Sequence, residues 1–270
     1  VDTYSTQNFW YAVILAGLAK KFHKKYVLIL HGGSLENRFR DSPKVTAYLF
    51  KNAYKIVSPS LYLKEKVESL GHFSVEYIPN PFHSEEYDFQ LRSQISPKLF
   101  WVRAFNEIYN PLLALKTLEI LFQKYPESEL CMIGPTKDES YRICVNYAQK
   151  YQLPVKFTGK LSKAKWKELS KKYDIFLNTT FIDNVPVSVL EAMALGLPVI
   201  STNVGGIPYI IKEGETGLMI PPDNAEKMAE AVIKLMINSS LAKNISKNAR
   251  EQVQQMDWEH IKPLWRKLLF

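Results

Sequence analysis

The feature that most constrains the fold is a regular alternation of short β-rich runs and helical patterns, which begins at Leu99. Each short apolar run is followed by a segment of about ten to fifteen residues with helical periodicity, and this pattern is βα repetition. Such units pack as a parallel sheet with helices on both faces, because right-handed crossovers leave few alternatives. The alternation predicts a complete Rossmann-like domain over roughly residues 95–255. The predicted strands are LFWVRAF from Leu99, ELCMIG ending at Gly134, VKFTG ending at Gly159, IFLNTT ending at Thr180, PVIST from Pro198 and GLMIP from Gly217.

The first part of the chain carries a shorter form of the same pattern. A helix is expected from Asn8 to about Phe22, and three strands follow with helices between them: YVLIL, YKIVSP and VEYIP. A doubly wound domain usually has about six strands, so this region reads as the second half of such a domain. Because the chain begins at Val1 rather than at a methionine, an upstream segment is to be considered.

These patterns divide the chain into three segments. Residues 1–92 are expected to form a partial Rossmann-like domain and residues 93–256 a complete one, with the polar stretch from His83 to Pro97 as a linker. Residues 257–270 (DWEHIKPLWRKLLF) read as a separate amphipathic helix with Asp257 as its N-cap. We expect this helix to pack back on the N-terminal domain. The predicted fold class is α/β with two parallel-sheet domains, the N-terminal one incomplete.

Composition and cysteine spacing exclude several classes of protein. The longest apolar run, from Phe9 to Ala19, has 11 residues, whereas a bilayer-spanning helix needs roughly 18 or more. We therefore predict a soluble protein. Cys131 and Cys144 have neither CxxC spacing nor a nearby His, so neither a metal site nor a disulfide framework is expected. We predict that both cysteines are core thiols and that the protein resides in a reducing compartment.

The net charge of +8 suits nucleic acid, an anionic membrane surface or phosphate-bearing ligands. The only dense basic cluster is Lys20, Lys21, Lys24 and Lys25, which we interpret as a solvated helix end. No nucleic-acid-binding motif accompanies it, so a nucleic-acid partner is not expected. The aromatic residues from Phe9 to Tyr11 are interpreted as core packing of the first helix, with contact to a membrane surface as the alternative.

The stretch FIDNVPVSVLEAMALGLPVISTNVGGIPYII places Asp183 and Glu191 on either side of a predicted helix start. Ligands of open parallel sheets bind outside the carboxyl ends of the strands, where helix N-termini also point. Pro186 suits the first turn of a helix, and the amides of Val187 to Val189 are expected to lack intrahelical partners and to bind a phosphate or diphosphate. An acid on each side of a diphosphate can accept hydrogen bonds from sugar hydroxyls. This arrangement describes a nucleotide sugar.

The Gly205-Gly206 pair that follows is equally consistent with a strand-to-helix turn and with a site where a phosphate approaches the backbone.

This stretch resembles the donor-binding signature of the retaining glycosyltransferases of family 4, which have the two-domain GT-B fold. The signature is an acid, seven residues and then the Glu of LEAMALGLPVI, followed by STNVGGIPYII and GETGLMIPP. The resemblance extends upstream through LFWVRAF, ELCMIG, VKFTGKLSK and YDIFLNTT. It continues in the front half through YVLILHGG and KIVSPS followed by YIPN, and so covers nearly the whole chain.

The resemblance implies a role for each matching residue. Glu191 would bind the ribose hydroxyls, Asp183 the hydroxyls of the donor sugar, and the amides near Val189 and Leu190 the diphosphate. Arg103 would neutralise the leaving diphosphate, an electrostatic role worth several kcal/mol when the group is preorganised.

The remaining matches complete the expected donor site. The resemblance implies that Asn184, Val185 and Pro186 form the rest of the donor-binding loop. The backbone at Gly159 and Lys160 would cradle the base. His31 of the HGG motif would approach the donor sugar from the N-terminal, acceptor-side domain.

The sequence departs from the family pattern at several places. Ile108 and Tyr109 stand where the family usually has a lysine, and the glycine-rich acceptor loop after the first strand is absent from this sequence. Asp183 replaces the usual Glu, and Asn184-Val185 replaces the usual Gly-Phe.

Two functional hypotheses follow. The first is a retaining, metal-independent glycosyltransferase that takes a nucleoside-diphosphate sugar and transfers the sugar to a carbohydrate or lipid-linked acceptor. It would be cytoplasmic, with peripheral contact at the inner membrane face if the acceptor is a lipid. No cofactor is expected, and the lack of a DxD-like acidic pair agrees with metal independence. The second is an inactive relative that binds nucleotide sugars without transferring them.

Simpler interpretations of the same residues stay open at this stage. Glu191 could stabilise its helix N-terminus through the dipole, and Asp183 could be a turn former. His31 could be a structural residue. Arg103 could pair with Glu107 rather than with a ligand.

Overall fold

The computed structural model describes residues 1–4, 7–31, 35–71, 73–92 and 94–270, without the side chain of Glu36. The chain divides into two compact units. The first comprises Val1–Pro81 together with Trp258–Phe270, and the second comprises Phe82–Asp257. Each unit contains one parallel sheet covered by helices. The predicted α/β class with two parallel-sheet domains is therefore confirmed.

The sheet of the first unit has four described strands in the order β1-β2-β3-β4, all parallel. Strand β1 was not predicted, because two residues are too few to show an alternating pattern. The single helix expected between β2 and β3 is divided in two before Pro43, which lacks the N–H that a helix interior needs. The elements are β1 (Asp2–Thr3), α1 (Phe9–Lys21), β2 (Val27–Leu30), α2 (Leu35–Asp41), α3 (Pro43–Lys51), β3 (Lys55–Ser58), α4 (Leu61–Ser69), β4 (Val75–Tyr77) and the C-terminal helix Trp258–Leu269.

Helix α1 corrects the prediction that Phe9 to Tyr11 all pack in the core. Phe9 is fully buried, but Trp10 is 46% exposed and Tyr11 is 68% exposed. A helix turns by about 100° per residue, so three consecutive side chains cannot share one face. Ala12 and Ala16 join Phe9 on the buried face of α1.

The second unit has a six-stranded parallel sheet in the order β10-β9-β8-β5-β6-β7. All six predicted strands are present. Apolar side chains pack on both faces of the sheet, as expected for strands without alternation. Its elements are β5 (Lys98–Val102), α5 (Pro111–Lys124), β6 (Glu129–Ile133), α6 (Ser140–Lys150), β7 (Val155–Phe157), α7 (Lys163–Ser170), β8 (Ile175–Asn178), α8 (Val187–Ala194), β9 (Val199–Thr202), β10 (Leu218–Ile220), α9 (Ala225–Ile237) and α10 (Ser239–Gln254).

The direction in which the strands are added reverses between β5 and β8. Strands β6 and β7 lie on one side of β5, whereas β8, β9 and β10 lie on the other. This is the strand order of a doubly wound sheet, whose ligands bind at the reversal point outside the carboxyl ends of the strands. The loops after β5 and β8 are therefore the places to look for a site.

The segment from His83 to Pro97, predicted as a linker, is anchored to the second unit by buried side chains. Tyr87 and Arg92 are only 3% exposed. The Arg92 guanidinium donates to the carbonyl oxygens of Gln90 and Leu195 at 2.6 and 2.9 Å, and Asp257 accepts from the Ser84 amide at 2.7 Å. Polar side chains with such internal partners can be buried, and the segment belongs to the second unit.

Within the described residues, no helix has the length and apolar character needed to cross a bilayer. Cys131 and Cys144 are both buried and unpaired. Burial raises the pKa of the Cys131 thiol to about 11 and that of Cys144 to about 12. Both thiols are therefore protonated at neutral pH and behave as core groups.

Candidate functional site

Arg103 and Asp183 meet at the reversal point of the six-stranded sheet. Arg103 directly follows β5, and Asp183 lies in the loop after β8. The Arg103 Nη2 donates to Asp183 Oδ2, and the two side chains are 13% and 14% exposed. The guanidinium also stacks on Tyr109, 3.9 Å from the ring centre. Arg103 thus pairs with Asp183 rather than with Glu107.

The electrostatics of Asp183 combine two opposing effects. Burial raises the pKa of its carboxyl above the ordinary value, while Arg103 and the Asn184 amide act to lower it. The Asn184 N–H donates to Oδ1 at 2.9 Å, so the two carboxylate oxygens have separate partners. The carboxylate is held in one orientation. It is more than the turn former that the sequence left open.

The Gly205-Gly206 pair packs directly against the backbone of the Asp183 loop. The Gly206 N–H donates to the Asp183 carbonyl oxygen at 2.9 Å. A Cβ at Gly205 would lie 2.2 Å from the Asp183 carbonyl oxygen, and one at Gly206 would lie 1.9 Å from that of Asn184. Gly205 also has a φ of +54°, which side chains other than glycine rarely adopt. The structure therefore shows a direct packing role for this pair.

Glu191 lies in α8 and has partners of its own. Its Oε1 accepts a hydrogen bond from the Tyr87 hydroxyl at 2.7 Å and lies 3.6 Å from Lys163 Nζ. Burial is the main cause that raises the pKa of the Tyr87 phenol, and the hydrogen bond to Glu191 raises it further. The phenol therefore stays protonated and donates to Glu191. The Lys163 ammonium also sits 4.8 Å from the centre of the Tyr87 ring. The Glu191 side chain is 13% exposed, so solvent still reaches it.

The start of α8 differs in one respect from the prediction. The amides of Val189 and Leu190 donate to the Pro186 carbonyl oxygen at 3.0 and 3.4 Å. The expectation that the Val189 amide lacks an intrahelical partner was therefore wrong, because the first turn is tightened by an i to i+3 bond. Val187 and Ser188 supply the remaining amides of the first turn. The Ser188 Oγ is buried without a hydrogen-bond partner among the described residues.

The predicted base-binding segment follows β7. Gly159 has a φ of +67°, and the space where a Cβ would stand is open. Its carbonyl oxygen accepts from the Gly134 amide and the Thr158 hydroxyl, each at 3.0 Å. Lys160 is exposed. The role of Gly159 and Lys160 in binding the base stays a prediction.

His31 lies at the end of β2 in the first unit. Its Nε2 is 3.0 Å from Asp2 Oδ1, and its ring stacks on Tyr4 with centres 5.4 Å apart. Gly32 and Gly33 of the HGG motif lie outside the described residues. The role of His31 in donor binding stays a prediction.

Three residues at this site escaped the sequence analysis. Tyr109 was noted only as the replacement for a lysine, yet its ring covers Arg103. Tyr87 was placed in a linker, although it donates to Glu191. Lys163 follows VKFTG within SKAKW, and its position between a strand end and a helix start was the one available signal.

Comparisons with known proteins place this geometry in a family. The sequence profile described as "Glycosyl transferases group 1" matches residues 84–252, most of the second unit and more than half of the chain. This chain belongs to the group 1 glycosyltransferase family.

Individual relatives within this family are distant. A sulfoquinovosyl transferase of Arabidopsis thaliana is 32% identical over 153 residues, 54% of this chain and 28% of the relative. A sucrose synthase of Melioribacter roseus is 26% identical over 251 residues, 88% of this chain and 30% of the relative. The group 1 chain described here therefore corresponds to less than a third of either protein.

Solved structures confirm the GT-B architecture of this group 1 chain. Anabaena HepE in complex with UDP superposes with a TM-score of 0.83 and 18% identity, covering 99% of this chain and 78% of HepE. A sucrose-phosphate synthase of Thermosynechococcus elongatus gives a TM-score of 0.78 at 19% identity, covering 99% of this chain and 73% of that one. At such identities the likeness establishes the fold alone.

Proposed function

We propose that this chain is a retaining glycosyltransferase of family 4, which transfers a sugar from a nucleoside-diphosphate sugar to an acceptor hydroxyl. The observation that carries the proposal is the Arg103–Asp183 pair at the reversal point of the sheet. In this proposal Arg103 is the cation that binds the diphosphate, and Asp183 beside it is the acid that binds the sugar. Glu191, in the adjacent helix, supplies the second acid for the ribose.

In the proposed reaction, the bond between the anomeric carbon and the diphosphate oxygen breaks, and its electron pair leaves with the diphosphate. The acceptor hydroxyl oxygen bonds to the anomeric carbon on the same face, and its proton passes to the departing diphosphate oxygen. Arg103 and the first amides of α8 stabilise the negative charge that develops. No metal is required in this proposal, since these groups supply the positive potential.

Donor binding requires Arg103 to exchange one partner for another. The guanidinium donates to Asp183 in the structure. A diphosphate carries more negative charge than one carboxylate and can therefore compete for the arginine. Asp183 would then turn its freed oxygen to a hydroxyl of the donor sugar. The tight Arg103–Tyr109 stack keeps the cation in place during this exchange.

The proposed donor class is supported by the solved relatives of the same fold. The HepE structures contain UDP, UDP with glucose, and UDP-glucose. UDP-sugars are therefore the first donors to try, and we propose a carbohydrate or a lipid-linked acceptor. A lipid-linked acceptor implies a cytoplasmic enzyme with peripheral contact at the inner membrane face.

Calorimetric titration of the chain with UDP, GDP and ADP, with and without a chelator, tests the proposal. We expect one of the three to bind, and binding to survive chelation. Substitution of Arg103 by Gln should abolish it, whereas Arg142→Gln, which removes an exposed arginine of α6, should leave it unchanged. Failure of all three nucleotides to bind would reject the proposed donor site. Donor hydrolysis and the anomeric configuration of the product, measured by NMR, then test transfer and retention.

A further inference from the structure

Two groups from different parts of the second unit contact the same carboxylate oxygen of Glu191. The Tyr87 hydroxyl donates to Oε1 at 2.7 Å, and Lys163 Nζ lies 3.6 Å from that atom. In the part of the chain that the structure describes, neither a hydrogen bond nor an ion pair reaches Oε2. The protein therefore holds one oxygen of the carboxylate and leaves the other to accept from a ligand.

Tyr87 is fixed by contacts of both its ring and its backbone. The ring stacks on Phe82 with centres 5.2 Å apart, and the residue is 3% exposed. The Arg250 guanidinium donates to the carbonyl oxygens of Tyr87 and Ala194 at 3.2 and 2.8 Å. Because Ala194 is the last residue of α8, this arginine ties the Tyr87 backbone to the helix that carries Glu191. The hydroxyl thus reaches Glu191 from a position that packing has already set.

Lys163 is the first residue of α7 and brings a positive charge to the same carboxylate. Its ammonium lies 4.8 Å from the centre of the Tyr87 ring and 3.5 Å from Glu86 Oε2. Lys167, one helical turn further along α7, places its ammonium 5.0 Å from the same ring centre. Ammonium groups within about 6 Å of an aromatic ring are attracted by its π electrons. The ring therefore helps to hold the Lys163 charge beside Glu191, although the lysine side chain is half exposed.

We propose that Tyr87 and Lys163 are positioning residues that orient Glu191 toward the ribose of the nucleotide donor. The terminal torsion of a glutamate has only broad preferences, so a carboxylate without such contacts rotates easily. With Oε1 held, the plane of the carboxylate is fixed before the ligand arrives, and less ordering has to be supplied by binding. The inference rests on the proposed function, since it takes Glu191 as the acid that binds the ribose.

Two other roles of these contacts lead to different results. If Tyr87 and Lys163 compete with the ribose for Oε1, removal of either should strengthen the binding of a ribonucleotide. If they serve only the packing of the second unit, removal should lower its stability and leave the discrimination between ribose and deoxyribose unchanged. Positioning predicts a weaker discrimination while the Glu191 carboxylate is still present.

The ribose preference of the chain tests the inference. It is the dissociation constant of 2′-deoxy-UDP divided by that of UDP, and calorimetric titration measures both. We expect Tyr87→Phe and Lys163→Gln each to lower this ratio about two- to fivefold, because each removes one contact that orients the carboxylate. The double variant should bring the ratio close to that of Glu191→Ala. Thermal unfolding of the same variants records their stability separately.

Matched variants separate orientation from charge and from general effects of substitution. Lys163→Arg keeps the positive charge beside Glu191 and should keep most of the ratio. Lys165→Gln removes an exposed lysine of the same helix and should leave the ratio unchanged. Tyr151→Phe removes the hydroxyl of an exposed tyrosine and is the corresponding control for Tyr87→Phe. The Lys163 variants keep the test decisive if Tyr87→Phe fails to fold, because this lysine is half exposed.

The outcomes distinguish this inference from the proposed function. If Glu191→Ala abolishes the ribose preference while folded Tyr87→Phe and Lys163→Gln keep it, the positioning role is rejected and the proposed function stands. A ratio that rises in either variant would overturn the inference in favour of competition for Oε1. A ratio that Glu191→Ala leaves unchanged would overturn it as well, because Glu191 would then not bind the ribose. No binding of any nucleotide to the wild type would reject the inference and the proposed function together.

Discussion

Arg103 and Asp183 are 80 positions apart in the sequence and form an ion pair at the carboxyl ends of adjacent strands β5 and β8. Both side chains are largely buried. A buried pair is costly to break from one side, because the remaining charge loses its partner. The pair therefore links the stability of the second unit to the proposed donor site, and it makes each residue's contribution measurable.

Replacement of Arg103 by Lys should weaken UDP binding by about 1.5 to 3 kcal/mol, which is more than tenfold. Lysine keeps the positive charge but loses the planar group that donates to Asp183 and stacks on Tyr109. Isothermal titration calorimetry measures the change. Arg142→Lys, an exposed position in α6, is the matched control. Equal affinities of wild type and Arg103→Lys would show that the guanidinium does not hold the diphosphate.

Asp183→Asn should separate nucleotide binding from sugar binding. Removing the carboxylate charge frees Arg103, so UDP should bind at least as tightly as to the wild type. A UDP-sugar should lose the hydroxyl contact and bind about tenfold or more weakly relative to UDP. The ratio of the two dissociation constants is the measurement. If the ratio stays at its wild-type value, Asp183 does not contact the sugar.

Glu191→Ala should weaken nucleotide binding by about 1 to 3 kcal/mol, because one charge-assisted pair with the ribose is lost. Tyr87→Phe removes only the hydroxyl that donates to Glu191. It should lower thermal stability slightly and change nucleotide affinity less than Glu191→Ala does. A comparison of UDP with deoxy-UDP adds a direct test, since the ribose assignment predicts that Glu191→Ala abolishes the preference for the ribonucleotide. An unchanged preference would leave Glu191 with a structural role only.

Gly206→Ala should displace the Asp183 loop, because the new Cβ would stand 1.9 Å from the Asn184 carbonyl oxygen. We expect a loss of stability well above the roughly 1 kcal/mol of a simple glycine replacement, together with weakened donor binding. Gly214→Ala is the control for backbone strain. Gly214 has a φ of +73° but open space around its Cβ position, so that variant should keep donor binding. Chemical denaturation and calorimetry measure both effects.

The raised pKa of Asp183 predicts a pH dependence of stability with a definite sign. At a pH between the ordinary pKa of an aspartate and the raised pKa of folded Asp183, the folded state keeps a proton on this carboxyl that the unfolded state has released. The contribution of Asp183 to the free energy of unfolding therefore falls as the pH rises through this window, and is largest below it. Wild type should gain stability relative to Asp183→Asn as the pH falls from about 7 to about 4. Urea unfolding at a series of pH values measures the difference, and a constant difference would contradict the burial of this carboxyl.

Local patterns were sufficient for most of the fold because periodicity is a local property. Each of the six strands of the second sheet was recognisable as an apolar run beside a helical period. The handedness of βα crossovers then placed the ends of β5 and β8 at one edge. Strand β1 was missed, because its two residues are too few to show an alternating hydrophobic pattern. The strand is defined by its pairing with β2.

The sequence by itself determined the two parallel sheets, the edge at which a ligand would bind and the residue types available there. Only the tertiary structure decided that Arg103 pairs with Asp183 and that Tyr87, placed by sequence in a linker, donates to Glu191. The exposure of Trp10 was also decided there. The reason is physical: strand and helix formation depend on neighbours along the chain, whereas the partners of a buried charge are set by the packing of distant segments.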